Sequence, residues 1–403
     1  MTRDMRPLIC FRFCLWAAAL GIAITAKGAQ REWTGSASGF WSHPNNWDPA
    51  GIPQDGDTLR FGTFFNRSMV NDLPGLRLDA LVFDHFDYVL SGNTLILGMH
   101  VGDAVIDMPM GGGSGSATIN CPLILGTNRC VFKCEPFRED GSATLRINAD
   151  VNLNGYNLTL WSFPGGAGAD ARIEMAGSIS GDGDVTVTPA DPDRGTIEFI
   201  GSAENTFSGT LRVTSSGSLP DAGVYFKKQA GSVAIHRLEL AAGVTVDVER
   251  PHQIGDNATV CITQGSRLLF HGNTETIGSL CLTNSAEDTE PSLVDTDGAT
   301  LSVQGDITAV NNSLLVIPTI RGKLGLPGPV PQLRASSAPP ESARELARSK
   351  SWRPFERPTS ARSVLACASP LALAAADVDT DIAADSALAV DSISIQPLFW
   401  LTK

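Results

Sequence analysis

Residues 76–98 read LRLDALVFDHFDYVLSGNTLILG, in which short apolar runs such as Leu81-Val82-Phe83 and Leu95-Ile96-Leu97 alternate with Asp, Asn and Gly. The same alternation of short runs and turn formers continues to about Val310. Val, Ile, Leu and Thr in such runs favour β-strands, and Gly, Asn and Asp favour the turns between them. The sequence therefore predicts an all-β body over residues 62–315.

The length of these runs distinguishes between two all-β architectures. A β-sandwich has strands of about five to eight residues that are joined by hairpins. The runs here are shorter, and Asn154-Gly155 is the one good candidate for a two-residue hairpin turn. A parallel β-helix fits better, with two or three short strands in each coil of about twenty residues. We therefore predict a parallel β-helix, a solenoid in which inward aliphatic side chains stack between coils.

The segment 1–28 has the composition of a secretory signal peptide. Arg3, Arg6 and Arg12 precede an uncharged stretch over 13–25, and small residues follow up to Gly28. The apolar run is shorter than the roughly 20 residues that span a bilayer, although a retained anchor is an alternative. We expect cleavage near residues 26–29 and no transmembrane segment afterwards. The expected location is the extracellular space, the cell surface or the periplasm.

Residues 31–61 form an aromatic module that contains Trp33, Trp41 and Trp47. One interpretation is a structural cap, because stacked repeats need a cover over the open end of their core. The other is a platform on which sugar rings stack. The Trp residues are interleaved with turn formers rather than spread along one strand, which favours the cap.

Charge is distributed unevenly along the chain, whose formal net charge is −13. Residues 1–30 and 321–362 are basic, so the intervening region is more acidic than the whole. Such a surface repels nucleic acid phosphates and anionic lipids. The expected partner is an extracellular or cell-surface ligand, with a glycan among the candidates, and not a nucleic acid. Residues 316–403, rich in Pro, Arg and Ala, predict a disordered tail.

Two cysteines have a spacing that matches the predicted coil. Cys261 and Cys281 are twenty residues apart, and residues one coil apart lie about 4.8 Å from each other, within disulfide range. A disulfide is therefore one prediction, and two buried free thiols in an inward stack are the alternative. Cys130 and Cys134 lack CxxC spacing and a nearby His, so no zinc site is predicted. No other metal or cofactor is predicted.

Several segments resemble bacterial proteins with autotransporter-associated β-strand repeats. The resemblance lies in WTG, GFW, NNW and GDTLRF within 33–61, in NTFSGTLRV at 205–213, in TETIGSL at 274–280 and in GATLSVQGDI at 298–307. It implies a right-handed parallel β-helix passenger, exported and then displayed or released by a bacterium with two membranes. In that family the repeat is thought to assist passage and folding outside the cell.

Catalytic signatures are weak in this chain. Parallel β-helices also host polysaccharide lyases and glycosidases, which need paired carboxylates. Asp182 and Asp184 in Gly-Asp-Gly-Asp offer one such pair, but Asp at a glycine turn caps backbone amides in any case. The densest titratable segment is 84–88, expected on the solvent face.

We therefore predict a non-catalytic, adhesin-like or structural surface protein. Recognition is expected in side loops such as 108–116 and 140–142. The alternative is a carbohydrate-active enzyme or a glycan-binding module.

Overall fold

The computed structural model describes residues 28–326, with gaps at 63–65, 99–103, 110–113, 128–129, 137–140, 166–167, 191–193, 216–222 and 314, and the backbone of 333–336 and 392–394. The predicted signal peptide, most of the predicted tail and the centre of the loop 108–116 lie outside the described residues.

The described residues contain one 3₁₀ helix, Pro44–Asn46, and thirty-one strands. In chain order the strands are β1 (Gln30–Trp33), β2 (Trp47–Asp48), β3 (Asp57–Phe61), β4 (Ser68–Asn71), β5 (Arg77–Phe83), β6 (Tyr88–Gly92), β7 (Leu95–Leu97), β8 (Ala104–Met108), β9 (Gly115–Ile119), β10 (Leu123–Leu125), β11 (Cys130–Cys134), β12 (Ser142–Ile147), β13 (Val151–Asn152), β14 (Leu158–Ser162), β15 (Asp170–Met175), β16 (Ile179–Ser180), β17 (Val185–Pro189), β18 (Gly195–Phe199), β19 (Thr210–Thr214), β20 (Gly223–Phe226), β21 (Arg237–Ala241), β22 (Thr245–Val248), β23 (Thr259–Thr263), β24 (Arg267–Leu269), β25 (Glu275–Ile277), β26 (Ser279–Asn284), β27 (Leu293–Val303), β28 (Ile307–Asn311), β29 (Thr319–Gly325), β30 (Leu333–Ser336) and β31 (Ser392–Ser394).

The strands stack in three columns of parallel pairs, which confirms the predicted all-β solenoid. The first column runs β1, β3, β5, β8, β11, β14, β17, β19, β21, β23, β26, β28 and β30. The second runs β4, β6, β9, β12, β15, β18, β20, β22, β24, β27 and β29. A short third column comprises β7, β10, β13 and β16.

Coil length varies more than the sequence predicted. In the first column Cys261 pairs with Cys281, as the predicted period requires, whereas Cys130 pairs with Leu158, which closes a markedly longer coil. The longer coils include those that contain a strand of the third column in addition to strands of the first and second columns. Parallel pairing also continues past residue 315, where the body was predicted to end, through β29 and β30.

The core is a set of inward ladders produced by period-two burial. Burial alternates along β11 and β14, because successive side chains of a strand point to opposite faces. One ladder in the first column joins ten buried side chains in register: Leu81, Ile106, Phe132, Leu160, Val187, Val213, Leu240, Ile262, Leu282 and Ala309. Each large aliphatic or aromatic side chain contributes roughly 1.5–3 kcal/mol on burial.

The aromatic module lies at the N-terminal end of this core. Trp33 and Trp41 are fully buried, and Trp47 is 2% exposed. The Trp33 and Trp47 rings lie 5.0 Å apart edge to face, and Trp41 stacks on Phe61 at 6.2 Å. Strand β2 pairs antiparallel with β1 and covers the outer edge of the first column. The cap therefore closes both the apolar core and the exposed strand edge.

No helix within the described residues is long and apolar enough to cross a membrane.

Candidate functional site

One outward patch on the first column combines charged, aromatic and unpaired polar groups. Asp107, Lys133 and Trp161 are register partners on β8, β11 and β14, so they form a row about 4.8 Å apart. Their side chains alternate with buried core residues and are half-buried. We call the following set the lateral patch: Arg60, Asp84, Asp107, Lys133, Glu135, Trp161 and Phe163.

Most charges of the lateral patch are paired. The Arg60 guanidinium donates two hydrogen bonds to Asp84, one of them 2.9 Å long from Nη2 to Oδ1. The Lys133 ammonium forms an ion pair with Glu135 and also lies 4.8 Å from the centre of the Trp161 ring, a cation–π contact. These pairs cancel in charge, which leaves Asp107 as the remaining acid.

Two polar atoms of the patch have no hydrogen-bond partner among the described residues. They are Oδ1 of Asp107 and Nε1 of Trp161, and both are buried from solvent. Buried polar groups are nearly always hydrogen-bonded in folded proteins, because leaving one unpaired costs about 1–3 kcal/mol. Burial raises the pKa of Asp107, and the nearby Glu135 and Asp84 raise it further against the opposing effect of Lys133. The Asp107 carboxyl and the Trp161 indole N–H thus each have a hydrogen-bonding capacity that the described residues leave unused.

The position of the patch follows from the local sequence. Burial alternates along each contributing strand, so Asp107 stands between the buried Ile106 and Met108. The corner between the first and second columns begins directly after these strands. The described residues of the predicted recognition loops, 108–109, 114–116 and 141–142, lie at this corner, whereas 110–113 and 140 are outside the described ranges.

A second charged row, on the outer face of the second column, is fully paired. Arg172 lies 3.6 Å from Glu174 and 3.5 Å from Glu198, and Arg146 contacts Glu174 at 2.7 Å. Lys227 lies 3.5 Å from Glu198 and 3.4 Å from Glu249. Each carboxylate already has a cationic partner. This row therefore stabilises the stacking of coils and offers a ligand fewer free groups than the lateral patch.

The candidate catalytic pair Asp182 and Asp184 is engaged in contacts between coils. Asp182 Oδ1 accepts a hydrogen bond of 2.7 Å from the Ser208 hydroxyl, and Asp184 Oδ1 accepts one of 2.8 Å from the Thr210 backbone N–H. Asp184 therefore caps a backbone amide, as the turn interpretation predicted. The two carboxylates hold the segment 205–213 against the preceding coil.

The motif-like segment 205–213 has a structural explanation at this corner. Asn205 is fully buried, accepts a hydrogen bond from Ile179 N at 3.0 Å and donates one to Val233 O at 2.9 Å. Phe207 enters the core, and a Cβ added at Gly209 would lie 2.1 Å from Gly183 O. The segment thus bridges three successive coils.

The cap Trp residues are unsuited to stacking against a sugar. Trp33, Trp41 and Trp47 have almost no exposed surface, so the platform interpretation of this module is wrong at those rings. Phe40 is the exposed aromatic residue of the cap, with 51% of its surface accessible.

Cys261 and Cys281 are register partners on β23 and β26, as their spacing predicted. Both thiols are unlinked in this structure and half-exposed. They point outward, because the adjacent Val260 and Ile262 are the buried residues. The alternative of an inward stack is therefore wrong, and the disulfide stays a prediction.

The sequence identified only part of the lateral patch. Asp84 belongs to the titratable segment 84–88, which does lie at the surface apart from the buried Tyr88. The sequence did not identify the three residues of the row, because they lie on successive coils that are longer than the predicted period. They are Asp107, Lys133 and Trp161, and only the observed register brings them together. An alignment of coils by their true lengths would have placed them in one row.

Comparison of the chain with protein-family models, with curated proteins and with solved structures gives no match. The fold alone defines the class of protein, a parallel β-solenoid. The function is therefore argued from the site.

Proposed function

We propose that this chain is an exported, cell-surface β-solenoid that acts as an adhesin-like spacer and binds a saccharide at the lateral patch. The observation that carries the proposal is the row of Asp107, Lys133 and Trp161. In this row the half-buried Trp161 ring lies beside charged groups, and neither its indole N–H nor Asp107 Oδ1 has a hydrogen-bond partner among the described residues. Saccharide sites combine an aromatic face with a few convergent polar groups.

The charge of the patch favours a neutral saccharide. Arg60 is paired with Asp84, and Lys133 is paired with Glu135, so no free cation is left among these four residues. The chain as a whole carries a net charge of −13, which disfavours a polyanionic ligand. Burial raises the pKa of Asp107, which makes its carboxyl group easier to protonate than an exposed one.

Export is supported by the composition of residues 1–28 and by the resemblance of 33–61 and 205–213 to autotransporter-associated repeats. Its test is expression of the whole chain in a bacterium with two membranes, followed by fractionation and N-terminal sequencing. We expect a product outside the cytoplasm that begins near residues 26–29. An uncleaved chain that stays in the cytoplasm would contradict the export part of the proposal.

Binding is tested by calorimetric titration of the purified chain with a panel of neutral and acidic oligosaccharides. We expect at least one neutral oligosaccharide to bind, with weaker or no binding of uronic acid polymers. Binding of acidic members alone would contradict the electrostatic argument. If no member of a broad panel bound, the saccharide proposal would fail.

The second candidate is a carbohydrate-active enzyme, and one observation favours it. Asp107 and Glu135 are two carboxyl groups of the same patch, the paired carboxyl groups that glycoside hydrolysis requires, and the pKa of Asp107 is raised by burial. The test is release of reducing ends from the bound polysaccharide, before and after Asp107→Asn. Depolymerisation that Asp107→Asn abolishes would establish the enzyme, whereas binding without depolymerisation supports the adhesin-like function.

A further inference from the structure

A pair of facing thiols lies on the outside of the first column, several coils from the lateral patch. Cys261 and Cys281 are register partners on β23 and β26, about 4.8 Å apart between Cα atoms. The Arg237 guanidinium approaches Cys261 Sγ at 3.7 Å, and the Thr283 hydroxyl lies 3.8 Å from Cys281 Sγ. Both cysteines are half-exposed, so a small molecule in solution can reach them.

The other described cysteines have different surroundings. Cys121, Cys130 and Cys134 are fully buried, and burial raises the pKa of Cys121 and Cys134 to about 12. The hydrogen bond from Cys261 lowers the pKa of Cys281 to about 6, with further help from Thr283 and Arg237. The pKa of Cys261 is raised, through its contact with Cys281 and through burial.

The strand geometry allows the two sulfurs to join. Register partners in a parallel sheet are about 4.8 Å apart between Cα atoms, within the range of about 4.4–6.8 Å that disulfides span between these atoms. The spacing of the two strands is therefore compatible with both the dithiol and the disulfide.

We propose that Cys261 and Cys281 form a thiol–disulfide exchange site that takes small disulfides as substrates. The Cys281 thiolate attacks one sulfur of a disulfide RSSR, which forms a mixed disulfide and releases one thiolate that is protonated to RSH. The Cys261 thiol then loses its proton and attacks the Cys281 sulfur. This step releases the second RSH and leaves the Cys261–Cys281 disulfide. In sum, one dithiol is oxidised and one RSSR is reduced to two RSH.

Charged groups near the pair are arranged on one side. Arg237 and Glu239 lie on β21, and Arg212 on β19 binds the far side of Glu239 at 2.8 Å. On the opposite side Cys281 pairs in register with the neutral Thr308 on β28. Arg237 is therefore the cation that faces the thiols. Its ion pair with Glu239 limits how strongly it stabilises a thiolate.

The first test uses the reduced whole chain and 5,5′-dithiobis(2-nitrobenzoate), with peptide mapping by mass spectrometry to assign each cysteine. The wild type should yield a Cys261–Cys281 cross-linked peptide with no probe retained on either residue. Cys261→Ser should retain the probe on Cys281. Separate labelling of both cysteines without a cross-link would overturn the proposal, as would an unreactive Cys281 in the folded wild type.

The second test measures alkylation of Cys281 by iodoacetamide as a function of pH. At pH 7 a thiol of pKa about 6 reacts about fourfold faster than one near 9, because the larger thiolate fraction outweighs the lower nucleophilicity. Cys261→Ala, which removes the donor, should move the midpoint of the profile upward, while Cys261→Ser keeps a donor and should move it less. Identical profiles in all three proteins would overturn the assigned roles.

Discussion

Asp107 and Trp161 show why individual polar atoms decide where a ligand binds on this surface. Both side chains belong to the outward row of the first column, and both contain a buried polar atom without a partner among the described residues. Neighbouring charges such as Arg60 and Lys133 have their partners within the protein. A ligand that hydrogen-bonds Asp107 and Trp161 would therefore recover free energy that the unliganded protein lacks.

Replacement of Trp161 by Ala should weaken saccharide binding roughly tenfold, since an aromatic contact contributes about 0.5–1.5 kcal/mol beyond its buried area. Titration calorimetry with the bound oligosaccharide measures the change. Tyr225→Ala is a matched control, because Lys227 lies 4.3 Å from the Tyr225 ring centre on the second column, outside the patch. Equal losses in both variants would indicate a general effect on folding rather than a site at Trp161.

Glu275 predicts a specific pH dependence of stability. Its carboxyl is buried and accepts hydrogen bonds from Gln253 N at 2.7 Å and Ile254 N at 3.3 Å, and burial raises its pKa to about 8. The folded protein therefore keeps a proton that the unfolded chain releases above about pH 4.5. Stability should fall by an amount on the order of 4 kcal/mol as pH rises from about 4.5 to about 8.

The measurement is thermal unfolding by calorimetry at several pH values between 4.5 and 8. Glu275→Gln should make the decline of stability with pH shallower, because the Gln amide does not titrate in this pH range. The exposed Glu287→Gln serves as the control and should leave the decline unchanged. A Glu275→Gln protein with the same slope as the wild type would refute the assignment.

Asn154 and Gly155 illustrate what local sequence can predict about an element. Their φ values of 52° and 83° are both left-handed, as the Asn-Gly dipeptide favours. The turn does not form a hairpin, however, because the preceding β13 pairs in parallel with β10 and β16. The Asn-Gly sequence thus determines the backbone conformation of the turn. Which strands β13 pairs with depends instead on how whole coils stack.

Asn205 is the residue through which the segment 205–213 joins its neighbouring coils. Asn205→Ala should destabilise the protein by about 2–3 kcal/mol, because it leaves Ile179 N–H and Val233 C=O unpaired in the interior. Chemical denaturation monitored by circular dichroism provides the comparison. The exposed Asn148 also makes a hydrogen bond between coils, at 3.0 Å to Asn120, and Asn148→Ala should cost less than about 0.5 kcal/mol. A similar cost for both variants would show that Asn205 has no special role.

For the whole molecule, the sequence predicted the solenoid but not the arrangement of its surface. Alternating burial along strands such as β11 is a local property, so the strands and inward ladders could be recognised from residues alone. Coil length is not constant along the first column, and a single assumed period cannot align outward residues across coils of different length. The assumed period correctly placed Cys261 next to Cys281, because their coil has that length. It could not place Asp107, Lys133 and Trp161 in one row, because their coils are longer.

Saccharide binding at the lateral patch would be visible in a crystal structure of the chain with the tightest-binding neutral oligosaccharide. We expect a sugar ring against Trp161, with a hydroxyl within hydrogen-bond distance of Asp107 Oδ1. A saccharide bound at the aromatic cap or on the second column, with the lateral patch empty, would contradict this expectation.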